Sequence, residues 1–416
     1  MLPTPGPSDG VENPGKPMGV TTPKGFRAAG VAAGLKSTGG KDVAVVVNDG
    51  PDATAAGVFT GNRVKAAPVL WSQQVLKGGV VRAVVLNSGG ANACTGSQGF
   101  RDAHATAEHA AAVLSQPAAD GRRRAAAMPV LIGAGDVAVC STGLIGEMLP
   151  MGKLLPGVQA AVKDLAATGG GAAAEAIMTT DTVAKTAVAH GAGWSVGGMA
   201  KGAGMLAPAL ATMLVVLTTD AVANSDALDE ALRAATRETF DRIDADGCMS
   251  TNDTVLLLAS GASDVQPAQD ELTAAVRAVC HDLAQQLIGD AEGATKHIAI
   301  EVLGAATEAD AVEVGRAIAR NNLVKTALFG NDPNWGRILA AVGTTAAAFE
   351  PNRIDVAVNG VWVCRRGAAA ADRSTVDLSG RDVHIQVNLH EGEMSATIWT
   401  TDLSHAYVHE NSAYSS

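Results

Sequence analysis

The chain has 416 residues, of which 47% are apolar and 3% aromatic, and its formal net charge is −11. This length suits two or three domain-sized units or one large composite core. The acidic balance argues against nucleic acid as a partner, because such binding needs clustered Lys and Arg, and no apolar run is long enough for a membrane span. The one basic cluster, Arg122–Arg124, is typical of a solvated loop.

The first half of the chain is predicted to consist mainly of strands. Residues 1–24 are expected to form a flexible tail without a secretion signal, because they lack a basic start followed by an apolar stretch. Short β-branched runs then predict strands in DVAVVVND, AAGVFTGN, APVLW and VRAVVLNSGG. A helix is predicted in SQGFRDAHATAEHAAAVLSQ, which ends before Pro117, and a buried strand in VAVCSTGLIG.

Strands and helices alternate in the second half, beginning with the strand TMLVVLTTDA. Apolar residues three and four apart predict helices in SDALDEALRAATRETFDRI, QDELTAAVRAVCHDLAQQLI and TEADAVEVGRAIARN, capped by Ser225 or Asp226 in the first and Thr307 in the last. Strands are predicted in NDTVLLLASG, HIAIEVLG, IDVAVNGVWV and VHIQVNL, with a hairpin turn at Asn359-Gly360. The segment LFGNDPNWGR is predicted to be a rigid loop. No long linker divides the chain, so we expect an α/β protein whose two halves form one packed body.

The cysteines and histidines give no support to a metal site. Five cysteines, an odd number, show no CxxC pair, and the nine histidines show no HExxH or similar spacing. Reduced cysteines in a cytoplasmic protein are the simplest interpretation.

Several turns are rich in Gly, Asn and hydroxyl residues, namely NSGGANACTG, CSTGLIG, MTTD and STNDT. Each one alone is typical of an ordinary turn or helix cap. A strand that ends in Thr-Gly, as in CSTGLIG, can also direct a hydroxyl and a backbone N–H at one point, which is what an oxyanion requires.

Thr212 is the most interesting hydroxyl residue, in the segment MAKGAGMLAPALATML. It follows the small residue Ala211 and opens a predicted strand, where a β-branched threonine is common for structural reasons alone. If its hydroxyl attacked the carbonyl of Ala211, hydrolysis of the resulting ester would free an N-terminal threonine. The new α-amine, with a pKa near about 8, could serve as a base for its own hydroxyl.

Taken together and in this order, nine segments closely resemble the ornithine acetyltransferase family of arginine biosynthesis. They are KGFRAAGVAAG, NSGGANACTG, CSTGLIG, AIMTTD, GGMAKGAGMLAPALATML, STNDTVLL, GDAEGATK, VKTALFGNDPNWGR and HENSAYSS. The resemblance covers about Gly25 to Ser416. It implies an α/β fold with stacked β-sheets between helix layers, similar to self-processing N-terminal-nucleophile-like enzymes. It also implies self-cleavage between Ala211 and Thr212 into an α chain (25–211, after the tail) and a β chain (212–416), assembled as an α2β2 heterotetramer.

The resemblance further implies residue roles and a reaction. Thr212 matches the nucleophile, and Thr142 with Gly143 matches the oxyanion hole. The positions that match substrate-binding residues are Thr179, Lys201, Thr212, Glu292, Asn411 and Ser416. The implied reaction moves acetyl from N2-acetylornithine to glutamate through an acetyl-Thr212 ester, without a metal or organic cofactor, although acetyl-CoA could be a second donor.

Three alternatives stay open at the level of sequence. A self-processing amidase or aminopeptidase would pass the acyl group to water. A binding protein could have kept the fold without the chemistry. A relative with the same chemistry could serve a specialised pathway instead of arginine supply.

Overall fold

The computed structural model of the protein describes residues 19–116, 131–206 and 213–413. Within these ranges the strands are β1 (Phe26–Val31), β2 (Val43–Asn48), β3 (Ala55–Phe59), β4 (Ala83–Ser88), β5 (Val137–Thr142), β6 (Lys185–His190), β7 (Ser195–Lys201), β8 (Leu214–Thr219), β9 (Thr254–Ala259), β10 (His297–Ala305), β11 (Asp355–Val358), β12 (Val361–Arg365), β13 (Ala368–Ala369), β14 (Asp382–Asn388) and β15 (Met394–Thr401).

The α-helices of the same ranges are α1 (Ala67–Val75), α2 (Gly96–Leu114), α3 (Met151–Lys163), α4 (Gly170–Ala176), α5 (Ser225–Glu238), α6 (Gln269–Gly289), α7 (Glu308–Ala319), α8 (Asn322–Phe329), α9 (Trp335–Val342) and α10 (His405–Ala413). None of these helices combines the length and the apolar character that crossing a bilayer requires.

Two stacked sheets form the centre of the molecule. The first has the order β1-β2-β4-β5 and the second the order β3-β9-β8-β7-β6. Along β8, Leu214 and Val216 pack in the core that the second sheet shares with the first, whereas Val215 and Leu217 pack on the other side against α5 and α6. The unbroken apolar run of β8 is therefore explained by burial on both faces. Helices α2, α3 and α4 pack in the first core, so the predicted α/β fold, with stacked sheets between helix layers, is confirmed.

A third sheet, of order β13-β12-β11-β14-β10-β15, packs against α7, α8 and α9 around a core of its own. The strand β10 alternates buried and half-exposed residues, as a strand covered on one face does. The predicted hairpin joins β11 to β12, where Asn359 and Gly360 have φ values of 46° and 80°. These positive values are what a two-residue hairpin turn requires.

Several predicted elements need correction. The segment APVLW is not a strand but the start of α1, with Pro68 in the first turn, where its missing N–H costs nothing. The predicted loop LFGNDPNWGR is a loop only at residues 330–334, because its ends belong to α8 and α9. The cap of α5 is Asn224 instead of Ser225 or Asp226, whereas the Thr307 cap of α7 is confirmed.

The predicted N-terminal tail ends earlier than residue 24. Residues Gly19–Thr21 form a buried 3₁₀ helix, and the hydroxyl of Thr218 in β8 donates a hydrogen bond of 2.9 Å to the carbonyl of Val20. This segment is therefore part of the folded body. The rest of the predicted tail, residues 1–18, and the basic cluster Arg122–Arg124 lie outside the described residues.

Candidate active site

A cavity of about 110 Å³ gathers six of the residues that the sequence singles out. They come from separate parts of the chain and are Thr142, Gly143, Thr179, Lys201, Glu292 and Asn411. Ala211, Thr212 and Ser416 lie outside the described residues. The two residues that flank the gap, Leu206 and Met213, are both buried.

The turn after β5 is held in close contact with the turn after β4. Thr142 is the last residue of β5, and its carbonyl accepts hydrogen bonds of 3.0 Å from the N–H groups of Gly89 and Gly90. Gly143 has φ 129°, and a Cβ on it would lie 2.5 Å from the nitrogen of Gly90. Only glycine fits this position, so the predicted Thr-Gly pair is fixed in place at the cavity wall.

Lys201 ends β7 and is almost completely buried in the same cavity. Its Nζ donates a hydrogen bond of 3.4 Å to the hydroxyl of Thr142 and lies 4.0 Å from the carboxylate of Asp181. Burial lowers the pKa of Lys201 from its ordinary value, while the charge of Asp181 acts to raise it. Because the lysine donates to Thr142, the hydroxyl hydrogen of that threonine is left to be donated into the cavity.

Asp181 connects the MTTD turn to the end of β7. Its carboxylate accepts N–H bonds from Thr179 at 3.0 Å and from Gly202 at 2.7 Å, and a bond of 2.7 Å from the ammonium of Lys185. Burial acts to raise the pKa of Asp181, but the charges of Lys201 and Lys185 outweigh it and lower the pKa to about 2. The carboxylate is therefore ionised at neutral pH and holds two buried ammonium groups.

Glu292 also lines the cavity. Its carboxylate accepts a hydrogen bond of 2.7 Å from the hydroxyl of Thr180, and its N–H donates to the carbonyl of Ala203 at 2.9 Å. A Cβ on Gly204 would lie 2.5 Å from a carboxylate oxygen of Glu292, so the absent side chain makes room for the acid. The cavity thus carries both an ammonium, on Lys201, and a carboxylate, on Glu292, which suits a zwitterionic or doubly charged small molecule.

The C-terminal helix α10 packs over the loop that carries Glu292. The hydroxyl of Ser404 donates to the carbonyl of Gly293 at 2.5 Å and accepts from the N–H of Tyr407 at 3.0 Å. Asn411, one turn further along, lines the cavity while its amide donates to the carbonyl of Tyr407 at 3.0 Å. This packing explains how a residue five positions before the last residue, Ser416, reaches the site.

Two residues of the STNDT turn contribute to the site although the sequence assigned them no role. The amide of Asn252 lines the cavity and donates to the carbonyls of Ala91 at 2.6 Å and Ser141 at 2.8 Å. Asp253 is fully buried, and its carboxyl accepts a hydrogen bond of 3.2 Å from the N–H of Met213. Asn252 therefore ties the turn after β4 and the end of β5 to the start of β9, and Asp253 ties β9 to Met213.

Asp181 and the two STNDT residues could have been noticed in the sequence. Each closes or follows a hydroxyl-rich motif that the sequence did single out, MTTD and STNDT. These residues are important because they are buried against lysines and backbone groups of distant strands. Such contacts can be seen only in the tertiary structure.

The described residues contain no group of three or more His, Cys, Asp or Glu side chains that is placed to hold a metal ion. All five cysteines are free. The polar groups that line the cavity in the described ranges are hydroxyls, amides, one lysine and one glutamate, without a histidine.

Comparison with known proteins assigns the chain to a family. The sequence model of the ArgJ family matches residues 27–416. The arginine biosynthesis bifunctional protein ArgJ of Streptomyces avermitilis is 66% identical over 399 residues, which are 96% of this chain and 100% of that protein. The protein of the same name from Thermobifida fusca is 63% identical over 398 residues, with coverage of 96% and 100%.

Among solved structures, the chain is similar to ornithine acetyltransferase complexed with ornithine from Mycobacterium tuberculosis. The sequence identity is 58%, the match covers 47% of this chain and 96% of that chain, and the TM-score is 0.43. Since the family model spans nearly the whole chain and the curated relatives align over their full length, this chain belongs to the ArgJ family and is an acyltransferase of arginine biosynthesis.

Proposed function

We propose that the protein transfers acetyl from N2-acetylornithine to glutamate through an ester on Thr212, giving ornithine and N-acetylglutamate. The observation that best supports this is the single cavity that gathers Thr142, Gly143, Lys201 and Glu292. An oxyanion pair, an ammonium and a carboxylate in one small space match the reacting carbonyl and the charges of an acylated amino acid.

The nucleophile arises by self-cleavage between Ala211 and Thr212. The cut leaves an α chain that ends at Ala211 and a β chain that begins at Thr212. The new α-amine has a pKa near about 8, so at neutral pH a useful fraction is a free base beside its own hydroxyl. The chain thereby supplies a base without a histidine.

The transfer then takes two steps. The Thr212 hydroxyl attacks the acetyl carbonyl, the α-amine takes its proton, and the ammonium so formed protonates the departing ornithine. The amine of glutamate attacks the acetyl ester in the second step. In both steps the Thr142 hydroxyl and the Gly143 N–H stabilise the negative oxygen of the tetrahedral intermediate. One such donor lowers the barrier by about 3 kcal/mol.

Substrate recognition rests on charge. Lys201 pairs with the α-carboxylate of either substrate, and Glu292 with the side-chain ammonium of ornithine. Glutamate carries a carboxylate at that end, which Glu292 does not favour. The neutral groups of Thr179, Asn411 and Ser416 complete the site, and the Asn411 amide is the donor for the glutamate side chain.

Replacement of Thr212 by alanine tests the proposal. The wild-type protein should give two bands near half-length on a denaturing gel, and Thr212→Ala a single full-length band without acetyl transfer. Incubation with radiolabelled acetylornithine should label the β chain of the wild type alone. An uncut wild-type chain with full transfer activity would overturn the cleavage step.

The same assay distinguishes the alternative acceptor. Acetylornithine consumption should depend on glutamate; consumption at the same rate without glutamate would identify an amidase that uses water. Assays with acetyl-CoA in place of acetylornithine test acetyl-CoA as a second donor.

The proposal also includes an α2β2 assembly and no need for a metal or organic cofactor. It further includes a cytoplasmic location, which the five free cysteines support.

A further inference from the structure

Thr180 contacts Glu292, the acid to which the proposed function assigns the side chain of ornithine. The MTTD turn contains two neighbouring threonines, and the sequence predicts substrate binding only for the first, Thr179. The hydroxyl of Thr180 donates a hydrogen bond of 2.7 Å to Oε1 of Glu292, and both residues line the active-site cavity. Thr180 is therefore the residue through which this turn reaches the carboxylate.

The pair formed by Thr180 and Glu292 lies at the boundary between the active-site cavity and a larger one. The second cavity has a volume of about 490 Å³, and the same two residues line it. Arg381 lines it as well, and its guanidinium donates to the carbonyl of Gly289 at 2.5 Å. Because a glutamate side chain rotates about several bonds, its carboxylate has two spaces to occupy, and the larger one contains a cation that attracts it.

The loop that carries Glu292 is held by contacts other than the Thr180 hydroxyl. Two residues earlier, the carboxylate of Asp290 accepts hydrogen bonds from the N–H of Thr182 at 3.0 Å and from the buried ammonium of Lys185 at 2.6 Å. These contacts join the same two segments of the chain. Loss of the Thr180 hydroxyl should therefore leave the backbone in place and free only the side chain of Glu292.

On the side of the active site, the carboxylate lies close against Gly204, which lines that cavity. A Cβ on Gly204 would lie 2.5 Å from Oε2 and 2.6 Å from Oε1 of Glu292. The glycine and the Thr180 hydroxyl together set the position of the carboxylate before a substrate arrives. A group that is already ordered binds its partner more tightly, because binding no longer has to order it.

We propose that Thr180 is a positioning residue that holds the Glu292 carboxylate for the side-chain ammonium of ornithine, an inference that rests on the proposed function. Its contribution belongs to the donor half of the reaction, since glutamate has no ammonium at that end. Thr180 thereby increases the preference for acetylornithine over donors with an uncharged side chain.

The test uses Thr180→Val, which keeps the shape of the side chain and removes its hydroxyl. In a two-step transfer, kcat/KM can be measured separately for the donor and for glutamate. We expect kcat/KM for acetylornithine to fall by about 10-fold, the effect of one hydrogen bond to a charged group, and kcat/KM for glutamate to stay within about twofold. Thr180→Ser, which keeps a hydroxyl, should recover most of the loss.

A second donor shows whether Thr180 acts through the ammonium. N2-acetylnorvaline has the carbon chain of N2-acetylornithine but lacks the terminal amine. The wild type should use it about 10-fold less well or worse, because Glu292 is left without a partner. Thr180→Val should not lower kcat/KM for this donor any further, since the two changes remove the same interaction.

Thr295→Val is the matched control. The hydroxyl of Thr295 also donates to a buried carboxylate, that of Asp402, but Thr295 lines neither cavity. This variant should keep the wild-type kcat/KM for both donors.

Each other outcome contradicts a particular claim. Thr180→Val with unchanged kinetics, an equal loss for the two donors, an equal loss for donor and glutamate, or no recovery in Thr180→Ser would each overturn the positioning role, as would the same loss in Thr295→Val. A wild type that uses both donors equally well would overturn the role of Glu292 and with it that of Thr180. A wild type that transfers no acetyl from acetylornithine would overturn the proposed function itself.

Discussion

Asp181 is the residue on which the charges of the site depend. Its side chain and that of Lys185 are both fully buried and joined at 2.7 Å, and Lys185 also contacts Asp290 at 2.6 Å. A buried ion pair adds little compared with apolar packing, but removal of one partner leaves a charge without compensation in a medium of low polarity.

Asp181→Asn should therefore be strongly destabilising. We expect the free energy of unfolding to fall by about 3–5 kcal/mol, the cost of breaking a buried pair, as measured by urea denaturation near neutral pH. Asp229→Asn is the control, because Asp229 forms an exposed pair with Arg233 on α5, and its effect should stay below about 0.5 kcal/mol. Similar losses for the two variants would contradict the central position of Asp181.

The difference between wild type and Asp181→Asn should also depend on pH. The pKa of Asp181 is lowered from 3.8 to about 2 in the folded protein, so its ionised form contributes stability that is fully present above pH 3.8. That contribution is lost as the pH falls through about 2. Urea denaturation in a series of acidic buffers should show the gap between the two proteins closing below pH 3.8, and a gap that widens would disprove the assignment.

At the level of single residues, the sequence predicted which motifs line one site but not the contacts that hold them in place. Thr142, Gly143, Lys201 and Glu292 were marked by a resemblance to a family and do line one cavity. Asp181 belongs to the MTTD motif, but the sequence predicts no role for it. Nothing in the sequence shows that Lys185 and Gly202 both donate hydrogen bonds to its carboxylate. Such contacts depend on distances across sheets, which local patterns do not carry.

Among the elements, α4 shows how closely helix and strand approach near the site. A Cβ on Gly30 of β1 would lie 1.9 Å from the carbonyl oxygen of Ala172 in α4. Helix α4 ends just before the turn that contains Thr179 and Asp181. The position of this turn therefore depends on α4, which can approach β1 this closely only because residue 30 is glycine.

Gly30→Ala should push α4 away from β1. Overpacking of this kind costs about 1–3 kcal/mol, so the thermal midpoint should fall by roughly 3 °C or more, with a loss of acetyl transfer. Gly171→Ala, in the same helix, is the matched control, since a Cβ there meets no atom within 4 Å. Calorimetry that shows equal midpoints for the two variants would contradict this packing.

Most long elements were predictable from periodicity, and the exceptions have physical reasons. The helices α2, α5, α6 and α7 have apolar stripes at helical spacing and were predicted. The short helix α1 was mistaken for a strand because Val69 and Trp71 favour strands locally, whereas Trp71 in fact donates to the carbonyl of Val137 in β5. The hairpin of β6 and β7 was missed because glycines interrupt its alternation.

For the whole molecule, the decisive feature is that the second sheet contains strands from both sides of the proposed cut. β3, β6 and β7 precede residue 212, and β8 and β9 follow it, with Lys201 of β7 paired to Leu214 of β8. β3 likewise pairs with β9 along its full length. The two fragments that the proposed cut would produce share this sheet and both cores that it separates.

The cut protein should consequently behave as one folded body. We expect both fragments to elute together in size-exclusion chromatography under native conditions, even after extensive dilution, and to melt in a single transition. They should separate only in denaturant. Separate elution of either fragment without denaturant would contradict a shared sheet.

Because strands on either side of residue 212 pair with each other, refolding of the cut protein should differ from the first folding of the uncut chain. While the chain is whole, β7 and β8 find each other as neighbours in one polymer, and their encounter is independent of protein concentration. Once the bond is broken, a denatured molecule can be rebuilt only by a second-order encounter of two separate polypeptides. Recovery of the native state should then rise with concentration for the cut protein and not for Thr212→Ala, so the cut makes the first folding event difficult to repeat.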